Sequence, residues 1–259
     1  MNAISRFSYF VGLLLSAQSV MALDQIEVAT LNQYLGADLA PVLNAPPGEQ
    51  FNEALISVLE KIANTDFPSR AREQADLFSK RKPHIIALQE VWSFNCLDIT
   101  PAEDDQGCND PSIKNAFNDH LALTLSALNS PDNELYRVAG TVKNLDLNQL
   151  TLPGFSFPGL PFTLIDSSGT PHVAMLTAID RDVILSRKDV ETEKVMVNCA
   201  KPSVDGCNYE TIVSLEPLRI DIERGFVAID AVVNDKTHRI FNTHLEVKWE
   251  DVGSACPKI

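Results

Sequence analysis

Residues 82–91 read Lys-Pro-His-Ile-Ile-Ala-Leu-Gln-Glu-Val. His84–Val91 is a compact β-rich run, and it predicts a buried strand. Glu90 follows Ile86 and Leu88 on one face, so a carboxylate stands where the apolar run ends. Helical patterns precede this strand. Phe51–Ala63 carries Leu55, Ile56, Leu59 and Ile62 as a stripe, and Ser69–Lys80 predicts a second helix with Ser69 as its candidate N-cap. Further upstream, Gln25–Asn32 alternates through Ile26, Val28 and Thr30 and predicts a strand ending in Asn32. Pro41–Gly48 is loop-like.

Downstream, Ser93–Pro111 reads as a polar loop, Ser112–Leu128 as a helix and Glu134–Val142 as a strand. Arg181–Arg187, Gly225–Asn234 and His238–Val247 read as strands, with Asn234-Asp235-Lys236-Thr237 as the turn between the last two. Lys143–Pro171 is a long loop centred on Leu152–Phe162, where prolines and glycines prevent a regular helix. Its aromatic residues either fold back on the body of the protein or form an apolar rim for a lipid or acyl substrate. Helices early and strands later predict an α/β or α+β sandwich.

The chain has 259 residues, 45% of them hydrophobic, enough for one large domain or two small ones. Its net charge of −14 argues against a broad basic face for nucleic acid, but not against an enzyme that reaches phosphates through a bound cation. Met1–Ala22 reads as a secretory signal peptide. Arg6 precedes an apolar stretch, Phe7–Ala17, too short to span a bilayer, and Val20-Met21-Ala22 suits a cleavage site. The expected organisation is a signal peptide over 1–22 and a domain over 23–259, secreted or periplasmic. An oxidising compartment permits disulfides, and Cys96 with Cys108 and Cys199 with Cys207 make the simplest local pairs. Zinc is the rival reading, but no CxxC or nearby histidine pair supports it. Cys256 is left over.

Asn32 and Glu90 end strands, and Asn242 and His244 lie two apart on one strand face. Strand ends are where α/β folds place ligands. A carboxylate and an amide carbonyl are hard oxygen donors suited to Mg2+, and a nearby histidine can bond a phosphoryl oxygen. Taken singly, each has a plainer reading: a turn asparagine, a solvated strand-end glutamate, a structural histidine.

Together, Val28-Ala-Thr-Leu-Asn32, Lys82–Val91, Arg181-Asp-Val-Ile-Leu-Ser-Arg187 and Phe241-Asn-Thr-His-Leu245 occur in an order that resembles the endonuclease/exonuclease/phosphatase superfamily. That superfamily includes deoxyribonuclease I-like nucleases, secreted sphingomyelinases and inositol-phosphate phosphatases. The resemblance implies a four-layer α-β-β-α sandwich of two mixed or antiparallel sheets. It implies hydrolysis of a phosphate ester, in nucleic acid or a phospholipid head group, with Mg2+ or Mn2+ as cofactor. By motif, Glu90 ligates the metal, Asn32 supports the metal and phosphate, and His244 contacts a phosphoryl oxygen. Arg181 and Asn242 fall to substrate binding, although Arg181 also suits a surface role. His84 takes no catalytic role. No stable protein partner is implied, and a monomer is expected.

The family's Gly-Asp-x-Asn motif and terminal Asp-His pair do not occur in the 15 residues after His244. The expectation is therefore a domain lacking its C-terminal part, with Cys256 as half of a pair. The alternatives are a catalytically incomplete fragment or a non-catalytic exported binding domain.

Overall fold

The computed structural model describes residues 25–210, 213–215 and 220–245. The expected signal peptide and Cys256 lie outside the described residues. In chain order the strands and α-helices are β1 (Val28–Asn32), α1 (Ala40–Asn44), α2 (Glu49–Asn64), α3 (Phe67–Arg81), β2 (Ile85–Gln89), β3 (Ser93–Asp98), α4 (His120–Leu128), β4 (Tyr136–Asp146), β5 (Leu160–Ile165), β6 (Pro171–Arg187), β7 (Glu191–Lys194), β8 (Pro202–Ser203), β9 (Gly206–Asn208), β10 (Val213–Leu215), β11 (Ile220–Ile222), β12 (Gly225–Val233) and β13 (Lys236–Thr243). The protein is mixed α/β with more strand than helix.

β6 organises the first sheet. Its 17 residues pair antiparallel with β2 and β3 on one side and with β4 and β5 on the other. β1 adds outside β2 as a parallel neighbour, Asn32 opposite Gln89. In the second sheet β12 pairs with β13 along one edge and with β7 and β9 along the other, all antiparallel. β10 and β11 form a separate two-stranded ladder.

The apolar faces explain the stacking. Ile86, Leu88, Val183 and Leu185 pack under Ala75 and Phe78 of α3 and Leu128 of α4. On the opposite face Ile85 and Ile184 meet Val227, Ile229 and Ala231 of β12. The two sheets close together at Gly140, where a Cβ would lie 2.7 Å from Val227 Cγ2. Ala174, Leu176 and Ala178 share the strand face of Ile184 but pack against α1 and α2, because a strand this long twists along its length. Helices therefore cover the first sheet in two blocks.

Several local expectations change. α3 is capped by Asp66, whose carboxylate accepts from Ser69 N at 3.3 Å, so Ser69 lies inside the helix. The expected loop after Trp92 opens with β3, and the expected helix from Ser112 shortens to α4, capped by Asp119. β4 runs into the expected loop 143–171 as far as Asp146, β5 occupies Leu160–Ile165 within it, and β6 begins at Pro171, well before the expected strand start at Arg181. In the rest of that loop Leu152 packs against the α1–α2 core with buried Leu160 and Phe162, while Phe157 stays exposed. The β12–β13 turn carries Asn234 and Asp235 at φ +52° and +60°, a two-residue hairpin loop of the kind Asn and Asp favour.

Cys96 pairs with Cys108 and Cys199 with Cys207. Two disulfides point to an oxidising, extracellular environment. Among the described residues no helix is long and apolar enough to cross a membrane.

Candidate functional site

Asn32, Glu90 and His244 converge where β1, β2 and β13 end. Asn32 Nδ2 donates to Glu90 Oε1 at 2.8 Å and lies 3.4 Å from His244 Nε2. His244 Nε2 stands 3.7 Å from the same Glu90 oxygen. Parallel register sets Asn32, the last residue of β1, level with Gln89, the last residue of β2, and Glu90 follows at the same edge. Glu90 makes this turn at φ +54°, a left-handed conformation that costs a residue with a Cβ about 1–2 kcal/mol. Local bonds hold it there: Trp92 N donates to Glu90 O at 3.0 Å, and Val91 N to Arg181 O at 2.9 Å. The second carboxylate oxygen accepts from Leu35 N at 2.8 Å.

The turn after Asn32 is braced as well. Tyr34, also at positive φ, donates its main-chain N–H to Asn32 Oδ1 at 2.7 Å. Arg70 of α3 donates to Gln33 O and Tyr34 O at 2.7 and 3.2 Å and stacks on Phe67. Gln33 itself is buried and bonds Thr124 Oγ1 at 2.8 Å. These braces were invisible in the sequence, where Arg70 reads as one more solvated helix charge.

Below the site lies a buried polar layer between the two sheets. Asn242 donates to Leu88 O and Val183 O at 2.8 and 3.0 Å and accepts from Gln89 Nε2 at 2.6 Å. At 2% exposure, with its amide spent on these bonds, it ties the second sheet to the first and presents no free group to a substrate. Asn144, Asp180 and Asp182 are buried beside it. Burial pushes the Asp180 carboxyl up to about 7, and the neighbouring Asp182 adds to the rise, while Arg224, 3.2 Å away, opposes it. Burial also raises Asp182, against the pull of Asn144, His244 and Arg224. Sequence reading missed this layer. The available signal was a pair of aspartates at even spacing inside the apolar run of β6.

Arg181 is partly buried beside the site, held by Asp119 Oδ1 at 2.8 Å and Val91 O at 3.1 Å. It shares its backbone ladder with Val91 but is engaged by the protein. His84 accepts Glu27 N–H on Nδ1 at 3.0 Å, at the opposite end of β2.

Glu90 is the side chain at this edge that could hold a cation of the Mg2+ type, because the Asn32 side-chain carbonyl oxygen accepts from Tyr34 N. Among the described residues no three acidic, histidine or cysteine side chains gather to form a cage. Mg2+ does not need one: a single carboxylate with waters and substrate phosphate is an ordinary arrangement. Glu90 offers that carboxylate, partly exposed, with lone pairs beyond the two hydrogen bonds it accepts.

No protein-family model, curated protein or solved structure matches the chain.

Proposed function

We propose that the protein is an exported, divalent-metal-dependent phosphoesterase of the endonuclease/exonuclease/phosphatase type. The observation that carries this reading is the meeting of Asn32, Glu90 and His244 within 3.7 Å, from strand ends up to 212 residues apart. Apolar strands do not gather a carboxylate, an amide and an imidazole at one edge for packing.

In this reading Glu90 holds Mg2+ or Mn2+, and Asn32 fixes the carboxylate's orientation. The cation, when bound, neutralises phosphoryl oxygens and lowers the pKa of a water. His244 contacts a phosphoryl oxygen through Nε2 and offsets the charge that develops on it. Arg181, one ladder step from Val91, flanks the substrate path. Asn242 acts from beneath, by keeping β13 and therefore His244 in register.

The same reading carries the four-layer arrangement, with helices over the outer face of the β12–β13 sheet. Exposed Phe241 and Val232 on that face support a cover there. It also carries the signal peptide over residues 1–22, and the two disulfides are consistent with export.

The test uses the purified chain with a simple aryl phosphodiester, supercoiled DNA and sphingomyelin vesicles, each with Mg2+ or Mn2+. Hydrolysis of at least one substrate is expected, abolished by chelation and lowered on the order of 100-fold or more by His244→Ala. DNA nicking assigns the nuclease arm, and head-group release assigns the lipid arm. Cation binding without turnover on any of them overturns the catalytic reading and leaves a binding domain.

A further inference from the structure

We propose that the protein binds a single-chain amphiphile, with the alkyl tail in a cavity between α2 and the first sheet and a cationic head at the cleft outside. The cavity holds about 90 Å3. α2 lines it with Leu55, Leu59 and Ile62, the first sheet with Leu176 and Ala178, and Trp92 joins them. Among the described residues that line it, none carries a charge, an amide or a hydroxyl. Close-packed cores keep few voids larger than a water molecule. Water finds no partners between apolar walls, so such a void stays dry and takes up apolar molecules.

A surface cleft of about 540 Å3 adjoins the cavity and shares Pro47, Phe51 and Leu160 with it. Leu152, Phe155 and Pro161 line the cleft as well, which gives the proline- and glycine-rich segment 152–162 a role as its rim. A small apolar cavity continued by an open apolar cleft fits one unbranched chain, tail inward. Charge selects the head. Glu49 is the one charged side chain among the described residues lining either space, and it is exposed. The Asn52 amide is spent on the main chain of Thr163, with bonds of 2.9 and 2.7 Å. An ammonium is attracted to Glu49 and to a protein of net charge −14, whereas a carboxylate head is repelled. Asn32, Glu90 and His244 line neither space, so this site goes beyond the phosphoesterase reading and does not rest on it.

Trp92 reports on the cavity, since it lies in the wall and is 7% exposed. The chain's other tryptophan is Trp249, and Trp249→Phe leaves the fluorescence to Trp92. The probe is dodecyltrimethylammonium brominated at the terminal carbon, added to the full chain below its micelle-forming concentration. Saturable quenching at one chain per protein is expected, and a bromine beside the head group is expected to quench less. Each methylene removed from the tail is expected to weaken binding about fourfold. Terminally brominated dodecanoate is expected to bind about two- to fivefold more weakly, and Glu49→Gln to narrow that difference. Ala178→Leu fills the cavity and is expected to abolish the quenching while the chain stays folded. Quenching that does not saturate, that begins only with micelles, or that is equal for the two bromine positions overturns the proposal, and these results need no cavity variant to fold. Unchanged quenching in folded Ala178→Leu overturns it as well. Dodecanoate binding as tightly as the ammonium overturns the cationic head.

Discussion

His120 and Asn242 show how much single residues do away from the edge where Asn32, Glu90 and His244 meet. The His120 ring is buried and stacks on Phe67 with centroids 3.4 Å apart, and burial pulls its pKa down to about 3. In the unfolded chain a histidine titrates near about 6.5. As pH falls below that value the unfolded state takes up the proton first. The stability held by neutral His120 is therefore full above about 6.5 and is lost between there and about 3. Urea midpoints measured from pH 7 to pH 4 are expected to fall, and His120→Phe is expected to flatten that fall. An equal slope in the variant would exclude the assignment. Asn242→Leu keeps the volume but removes the buried bonds that the amide makes to Leu88 O, Val183 O and Gln89 Nε2. The expected loss is about 2–5 kcal/mol of unfolding free energy, read by denaturant titration. Neither role was legible in the sequence. His120 sat inside an expected helix with no sign that Phe67 lay across from it, and Asn242 looked like a second site residue because it shares a face with His244.

At the scale of elements, the strands were legible where alternation or a short apolar run survives, as in β1, β2, β12 and β13. They were lost where pairing is dictated by a distant partner. β3 was hidden in a polar loop because only β6 gives Ser93–Asp98 its ladder, opposite Ala174–Ile179. β5 was hidden for the same reason. Two tests belong here. Gly140 lies in β4 where the second sheet presses closest, so Gly140→Ala drives a methyl into Val227 and Ile229. Overpacking of this kind costs about 1–3 kcal/mol, visible as a lower urea midpoint at unchanged m-value. The Cys96–Cys108 bridge ties β3 to the loop that follows it, closing a separation of 12 residues. Removing it with Cys96→Ser and Cys108→Ser together is expected to cost about 2–3 kcal/mol, and the reduced wild type is expected to lose a similar amount. A double variant as stable as the oxidised wild type would deny the bridge that role.

For the whole molecule, the decisive quantity is whether folding and cation binding are coupled. A ligand that binds only the folded state at 100 times its Kd adds about 2.7 kcal/mol of stability. Thermal unfolding in millimolar Mg2+ or Mn2+ is therefore expected to shift upward, and Glu90→Ala is expected to remove the shift. An equal shift in that variant would place the cation elsewhere on this acidic protein, whose net charge is −14. The sequence by itself determined which segments could be strands, which cysteines lie near each other along the chain, and that Asn32, Glu90 and His244 fall where apolar runs stop. Those are local properties, written in period-2 alternation and short loop lengths. It could not show that the three side chains meet, that Glu90 turns through a left-handed conformation to meet them, or that Asp180 and Asp182 are sealed beneath. Those facts depend on the register of β1 against β2 and on the approach of one sheet to the other. Contacts across such sequence distances have no signature in any short window, and only the packed structure brings them together.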